Sequence, residues 1–413
     1  MAKNKLFRNN TFEFVGVLSY GEAPLSTKKL SDTSKWSRTR LNVAVRNGSN
    51  SQFLNMEYIH NDSVKTCKLP EMVDDKFQMF EIDLDKTTDK NVIERVPNFA
   101  RIVFDLENDF DKKDERIKLF FKKLNHERKE VKTDKDIAKI KEYETQINEL
   151  SDNRVEFAHM KDAIKFLNAS LPTIGKQKVR VTGNVEINYY NGKSNLQYVP
   201  SLIELVPEET ESKLKIYCDF FYDKDGIDDD TKEKRMFING YIGKTVSKTE
   251  KLFPVQIVLD YTKINEEDDQ HVMLLKLMKD IFKITDKKQI HKNAIELNVL
   301  NGREQVEFSE ECLTDMQKMY VKMRMAKLED YKPKGNSYGN KMQELRVVKA
   351  DLKEMPNGSI EVFPTKELED YLQQDDSDKN VNDVKNEEKE LNEHLKEETE
   401  SQSTEDLMAS LFG

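Results

Sequence analysis

The sequence predicts a mainly β fold with α+β parts, and three observations lead there. Apolar and polar residues alternate over 40–46, 52–59 and 178–189, the period-two pattern of strands with one buried face. Asn47-Gly48 and Asn191-Gly192 are hairpin turn signals between such stretches. Gly183 sits inside a strand, where a bulge or sharp bend helps to close a small barrel.

Length and composition narrow the class. The chain has 413 residues, 37% apolar and 35% charged, enough for two or three domains. No stretch approaches the ~20 apolar residues that cross a bilayer. The start, MAKNKLFR, has no apolar run or cleavage site and is not read as a secretory signal. Cys67, Cys218 and Cys312 are scattered and odd in number, which points to a reducing cytosol. A membrane protein, a secreted disulfide scaffold and a zinc ribbon are thereby set aside.

The net charge of −10 is concentrated at one end. Residues 374–413 hold 13 acidic and 4 basic side chains, which leaves the body at −1. Acidity therefore counts against nucleic-acid binding by the tail, and not by the rest.

The elements follow in order. Residues 11–21 read as an aromatic and β-branched strand closed by Gly21. A loop with Lys28, Lys29, Lys35, Trp36 and Arg38 leads to the strand 40–46, where Leu41, Val43 and Val45 share one face. In 52–59, Leu54, Met56 and Tyr58 face inward and Phe53 outward. Ile117, Phe120, Phe121 and Leu124, then Ile137, Ile140, Ile147 and Leu150, have helical spacing and predict a helical hairpin with its turn at 132–134. It is read as a solvated insertion, with a partner or oligomer contact as the alternative. A helix near 157–171 precedes the strands 178–189 and 196–206. Val179, Val181, Val185 and Ile187 are expected inside, with Arg180 and Thr182 outside. Beyond 213 the pattern is α+β, with strands at 214–222, 235–242, 253–261 and 294–299 and helices at 270–282 and 309–328. A last strand pair, 343–352 and 359–363, precedes the tail. The succession in this half hints at a second related barrel.

The order of these elements resembles the bacterial single-stranded-DNA-binding protein family. The resemblance is carried by FVGVLSYGE, TRLNVAVRN and QFLNMEY, and above all by 178–205. There a helix over 162–167, Gly175 and Lys176, the V-x-V-x-G strand 179–183, Asn191-Gly192 and a strand starting at Tyr198 follow one another. The final EDLMASLFG is similar to that family's acidic tail with an apolar tip. The resemblance spans roughly 10–60 and 158–206 plus the tip, and its departures suggest a phage or mobile-element relative. It implies an OB-fold barrel over 1–207 with an insertion at about 70–157. A second α+β, OB-like domain (208–332), an extension (333–368) and a disordered acidic tail (369–413) follow.

An OB barrel binds single strands by stacking bases on aromatic rings along a cationic groove, each stack contributing about 1–3 kcal/mol. The candidates are Trp36, Phe53, Tyr189 and Tyr190 for stacking, and Arg38, Arg40, Arg46, Lys178, Arg180 and Lys193 for phosphates. Anchoring of its own loop is the alternative for Trp36, and plain solvation for each Arg; Tyr58 and Tyr198 are assigned to the core. The tail, with Glu397, Glu398, Glu400, Glu405 and Asp406, is too poor in apolar residues to fold. Its tip, Asp406 with Leu407, Met408, Leu411 and Phe412, is read as a hook for replication or recombination proteins. A merely solubilising tail is the competing reading.

Other motifs fall short. Residues 240–245 (GYIGKT) lack the P-loop spacing. The acids around Gly226 (Asp223, Asp225, Asp228, Asp229 and Asp230) misplace the glycine for an EF-hand and read as a polar hairpin turn. No histidine or cysteine spacing suggests zinc or a nucleophile, and Met316, Met319 and Met323 with Leu313 and Tyr320 read as core. The expectation is a non-enzymatic protein without cofactors that coats single-stranded DNA in replication, recombination or repair in a bacterial cytoplasm. The alternatives are a protein–protein adaptor of the same fold or a strand-annealing protein. Oligomeric state, binding-site size and the role of 213–332 stay open.

Overall fold

The first strand, β1 (Thr11–Lys29), runs well past Gly21, because the segment after the glycine stays extended and pairs with β2 (Ser37–Asn47). A register shift between Tyr20 and Leu25 absorbs the extra residues. This computed structural model describes residues 5–372, except 75, 129–132, 151–153, 176, 191, 247–248, 306–313, 324, 328–330, 332–337 and 352–360. The acidic tail with its tip Asp406, Leu407, Met408, Leu411 and Phe412 lies outside the described residues. So do Lys176, Asn191, Cys312, Leu313, Lys132 of the predicted hairpin turn at 132–134, and parts of the helix expected at 309–328 and of the last strand pair.

After the Asn47-Gly48 turn, where Gly48 takes φ +59°, the expected strand 52–59 is split into β3 (Asn50–Phe53) and β4 (Met56–His60), both paired with β2. The insertion then contributes a hairpin of β5 (Thr66–Val73) and β6 (Lys76–Asp83), a short helix α1 (Lys90–Arg95) and the strand β7 (Ile102–Asp105). The predicted helical hairpin follows as α2 (Phe110–Glu127) and α3 (Asp134–Leu150), and β8 (Val155–Phe157) completes the insertion. The expected apolar seam is partly turned to solvent: Ile117, Phe120, Phe121 and Ile137 are exposed, while Leu119 is buried. The start of α2 is tied down by Lys113, whose Nζ donates to the carbonyls of Asp105 and Leu205 at 3.0 Å each.

Helix α4 (Met160–Ile174) buries Ala163, Ile164, Leu167, Leu171 and Ile174. Each such Leu or Ile contributes about 1.5–3 kcal/mol by leaving water. The hairpin of β9 (Lys178–Tyr190) and β10 (Lys193–Leu205) comes next, with Val179, Val181, Val185 and Ile187 buried as expected. Opposite Gly183 the register of β10 shifts between Pro200 and Leu202. A Cβ on Gly183 would run into the Val199 carbonyl, so only glycine lets the strands approach there.

The second half holds β11 (Lys213–Asp230), β12 (Arg235–Val246), β13 (Thr249–Asp260), α5 (Asp269–Ile281) and β14 (Gln289–Gln305). It ends with α6 (Asp315–Lys322), β15 (Tyr338–Asp351), β16 (Glu361–Pro364) and α7 (Thr365–Leu368). The acidic run around Gly226 lies in β11, with Asp223, Asp225 and Gly226 inside a register shift between Tyr222 and Ile227 and Asp228, Asp229 and Asp230 in the paired leg after it; the hairpin turn itself comes later, at 231–234.

These strands form a closed five-stranded barrel. Going round, β11 pairs with β12, β12 with β13, β13 with β15, β15 with β14, and β14 returns to β11. Only the β13–β15 contact, at Val258 and Arg346, is parallel. β15, placed by the sequence in the 333–368 extension, is the strand that closes this barrel.

The first half has the same order. β1 pairs with β2, β2 with β3 and β4, and β1 with β9, which pairs with β10. A parallel bridge between Leu54 and Tyr198 joins the third member to the fifth, reinforced by Asn55 N donating to Tyr198 O at 2.7 Å. In each half a helix, α4 or α5, precedes the fourth member.

The two barrels share a sheet. Residues 11–15 of β1 pair with β9 on one side and with 213–217 of β11 on the other. One apolar core runs through both, from Phe12 and Phe14 against Tyr198 to Phe220, Tyr222 and Phe282. No helix among the described residues is long and apolar enough to cross a membrane.

Candidate nucleic-acid interface

The outer face of β2, β3 and β4 is set by strand alternation. With Leu41, Val43 and Val45 inside, Arg38, Arg40 and Arg46 must point out, and Phe53, opposite Ala44, joins them. Phe53 is 65% exposed, a large apolar ring left in water on the same sheet face as Arg46. Arg46, opposite Ser51, is exposed and forms no ion pair with a described residue. Arg38 and Arg40 behave differently. Arg40 Nε donates to Glu57 Oε2 at 2.9 Å and Arg38 Nε lies 3.9 Å from the same oxygen. Their charge is largely answered within the sheet.

The hairpin between β9 and β10 supplies the other half of the face. Tyr190 and Lys193 are directly opposite one another and both exposed, Tyr190 at 47%. Tyr189 turns away to pack edge-on against Phe253 of the second barrel, ring centroids 5.8 Å apart. It anchors the hairpin to β13.

Besides Tyr189, three more predicted residues are placed elsewhere. Trp36 is only 7% exposed: Ser34 Oγ accepts from its backbone N at 2.9 Å, and its carbonyl accepts from Leu30 N. The stacking role expected of Trp36 is corrected to anchoring of the β1–β2 loop, because burying an indole gains more than exposing it. Arg180 sits between Glu204 (2.8 Å) and Glu13 (3.3 Å), and Lys178 Nζ donates to the Glu208 carbonyl. Arg180 belongs to a charge network around β1 and β9 that Lys213, 2.6 Å from Glu13, completes, while Lys178 is held by that backbone carbonyl. Tyr198 is buried as expected. Met316, Met319 and Met323 are not core: all three are exposed on α6 and the residue after it, with Met325 close by.

Phe53 and Lys193 open onto a cleft of about 830 Å³ between the barrels. Its far wall is the outer face of β12 and β13, with Asn239, Tyr241 and Gln256, and its floor includes Asn301 of β14 and Gln343 of β15. Its carboxylates are engaged. Asp223 Oδ1 accepts from Gly226 N at 2.8 Å, Asp225 pairs with Lys287 at 3.0 Å, and Glu344 is held by Arg235 and Arg346. Burial, with Asp223 nearby, pushes the Tyr241 phenol above its ordinary value, so it stays a neutral donor.

Sequence reasoning missed this wall. Its carboxamides come from separate strands and have no spacing signature. The one local signal is the alternation of Asn239 and Tyr241 on the outward positions of β12.

The thiols are held protonated, Cys67 by burial that pushes it up to about 11 and Cys218 by complete burial. Among the described residues no group of three His, Cys, Asp or Glu side chains is placed to hold a metal ion. No family model matches the sequence, no curated protein matches it, and no solved structure matches the fold.

Proposed function

We propose that the chain is a sequence-tolerant single-stranded-DNA-binding protein that coats transient single strands in replication or recombination, in a phage or mobile-element setting. The observation that carries this reading is the position of Phe53, Arg46, Tyr190 and Lys193 in the first barrel. Both barrels follow the strand order first, second, third, fifth, fourth, the order of an OB fold. In that fold nucleic acid lies across the second and third strands, between the loops that join strands one to two and four to five. Phe53 and Arg46 occupy those strands, and Tyr190 and Lys193 sit beside the second of those loops. An exposed ring stacks on any base, and the free cations offset phosphate charge.

The acidic tail is proposed to recruit other replication proteins through Asp406, Leu407, Met408, Leu411 and Phe412. An adaptor for protein partners is the second reading. It is favoured by Met273, Leu274 and Leu277, which α5 leaves exposed.

The test is fluorescence anisotropy of labelled oligo-dT at two salt concentrations, with a duplex of equal length as competitor. Single-strand binding that weakens with salt is expected, with a slope near −0.7 per phosphate neutralised. Phe53→Ala should weaken it by ~1–3 kcal/mol. No binding at low salt, by the full chain or by a form lacking the tail, would leave the adaptor reading.

A further inference from the structure

The geometry points to the inter-barrel cleft as a subsite for an unstacked adenine base, held by its edges on carboxamide side chains. This rests on the single-strand reading above and adds base preference to it.

The charge in the cleft argues against a phosphate track. Lys193 is the one Lys or Arg among its described lining residues, and each lining carboxylate already has a partner. A ligand part that enters must be neutral and rich in hydrogen-bonding groups. The volume, about 830 Å³, leaves room for a base with its sugar.

The walls offer the matching groups. The side chains of Asn195, Asn301 and Gln343 make no hydrogen bond with a described residue, although all three line the cleft. Gln256 Nε2 donates to Asn239 Oδ1 at 2.9 Å and Asn239 Nδ2 donates to the Gly226 carbonyl at 3.4 Å, which orients that pair and leaves the Gln256 carbonyl open. A carboxamide sets a donor beside an acceptor, the complement of adenine N6–H with N7 or N1. Adenine presents such a pair on both its Watson–Crick and its Hoogsteen edge, so two carboxamides can hold it at once. Thymine and cytosine have it on the Watson–Crick edge alone, and the Hoogsteen edge of guanine carries acceptors only. Phe53 on one wall and Tyr241 on the other supply aromatic faces.

The experiment is a competition on the full-length protein: labelled oligo-dT is displaced by unlabelled oligo-dA, oligo-dT or oligo-dC of equal length at one salt concentration. Oligo-dA should compete about five-fold better than oligo-dT or more, the equivalent of ~1 kcal/mol for one bidentate contact. Oligo-dA made with 7-deazaadenine, which lacks N7, should lose much of that advantage against the unaltered protein. Asn239→Ala with Gln256→Ala should bring the dA-to-dT ratio toward one, with an unchanged melting temperature as the control for folding. Equal competition by dA and dT on the native protein overturns the subsite and leaves the broader reading intact. A dA preference that survives both the base analogue and the double substitution also overturns it. Failure of every oligonucleotide to bind overturns both.

Discussion

Asn50 reaches from the first barrel to the second, its Nδ2 donating to the Val299 carbonyl at 2.7 Å. The same side chain accepts from Asn301 N at 2.8 Å, so one carboxamide satisfies two backbone groups of β14. Removing it strands the Asn301 N–H, at about 1–3 kcal/mol for a buried group left unmade, and leaves the Val299 carbonyl only the longer bond from Gln52 Nε2 at 3.4 Å. Asn50→Ala should lower the melting temperature, and Gly302→Ala should do so more, because a Cβ there would strike the Ser49 carbonyl. Unchanged thermal unfolding in both variants would refute a strap at this junction.

The single tryptophan gives a built-in reporter. Buried Trp36 should emit at the short wavelengths of an apolar site and change little when oligo-dT binds. Trp36→Ala should destabilise by up to ~3–5 kcal/mol in urea unfolding. Phe53→Ala, at an exposed position, should leave stability nearly unchanged and act on binding. Strong quenching of Trp36 by oligo-dT at saturating protein would return it to the stacking face.

Asp105 anchors the insertion. Burial pushes its carboxyl up, but Arg116 and Lys113 outweigh that and hold it below the usual range. Lys113 Nζ lies 3.2 Å from it, and Arg116 also donates to it. Asp105→Asn leaves two buried cations without their counter-charge and should cost roughly 3–5 kcal/mol at neutral pH. A carboxyl held low contributes stability that is present above its unfolded value of ~3.9 and lost as pH falls through the folded one. The difference between native and Asp105→Asn protein in urea should therefore shrink at strongly acid pH. A gap that is constant with pH would remove the charge from the explanation.

His159 caps α4 through its ring: Nδ1 accepts from Lys161 N at 3.2 Å. Burial lowers its affinity for a proton, and the cap needs the neutral ring. The unfolded chain takes up the proton first, near pH ~6.5, so this contribution is whole above that pH and declines below it until the folded ring also titrates. Thermal melts should show stability falling between pH 7 and 5 more steeply in the native protein than in His159→Asn, which keeps a capping acceptor that does not titrate. Parallel pH profiles would count against the ring as the titrating group.

Strand content was legible in the sequence wherever one face is buried and the other wet. Leu41, Val43 and Val45, or Val179 and Val181, announce their inward face by alternation alone. The extension of β1 to Lys29 was not legible, because EAPLSTKK has no apolar period and is a strand only through its pairing with β2. The second barrel was hinted at and no more, since its closure depends on β13 and β15, which lie far apart in the chain and touch at one parallel pair. The misassignment of the α6 methionines follows from the same limit: helical spacing marks an apolar face and says nothing about whether a partner covers it. For the site, exposed Phe53 and Lys193 could be found by strand phase, whereas Arg38 and Arg40 looked like free cations until Glu57 appeared beside them.

The strand β1 also decides how the molecule can be cut and how it bears load. Its residues 11–15 are claimed by a neighbour on each side, so excising 1–207 would lay bare a five-residue ladder edge ready to recruit another chain. The halves cannot be shuffled as independent cassettes. A DNA strand pulling on one barrel would load the other through that ladder in shear, and the pair would hold or yield as one mechanical unit.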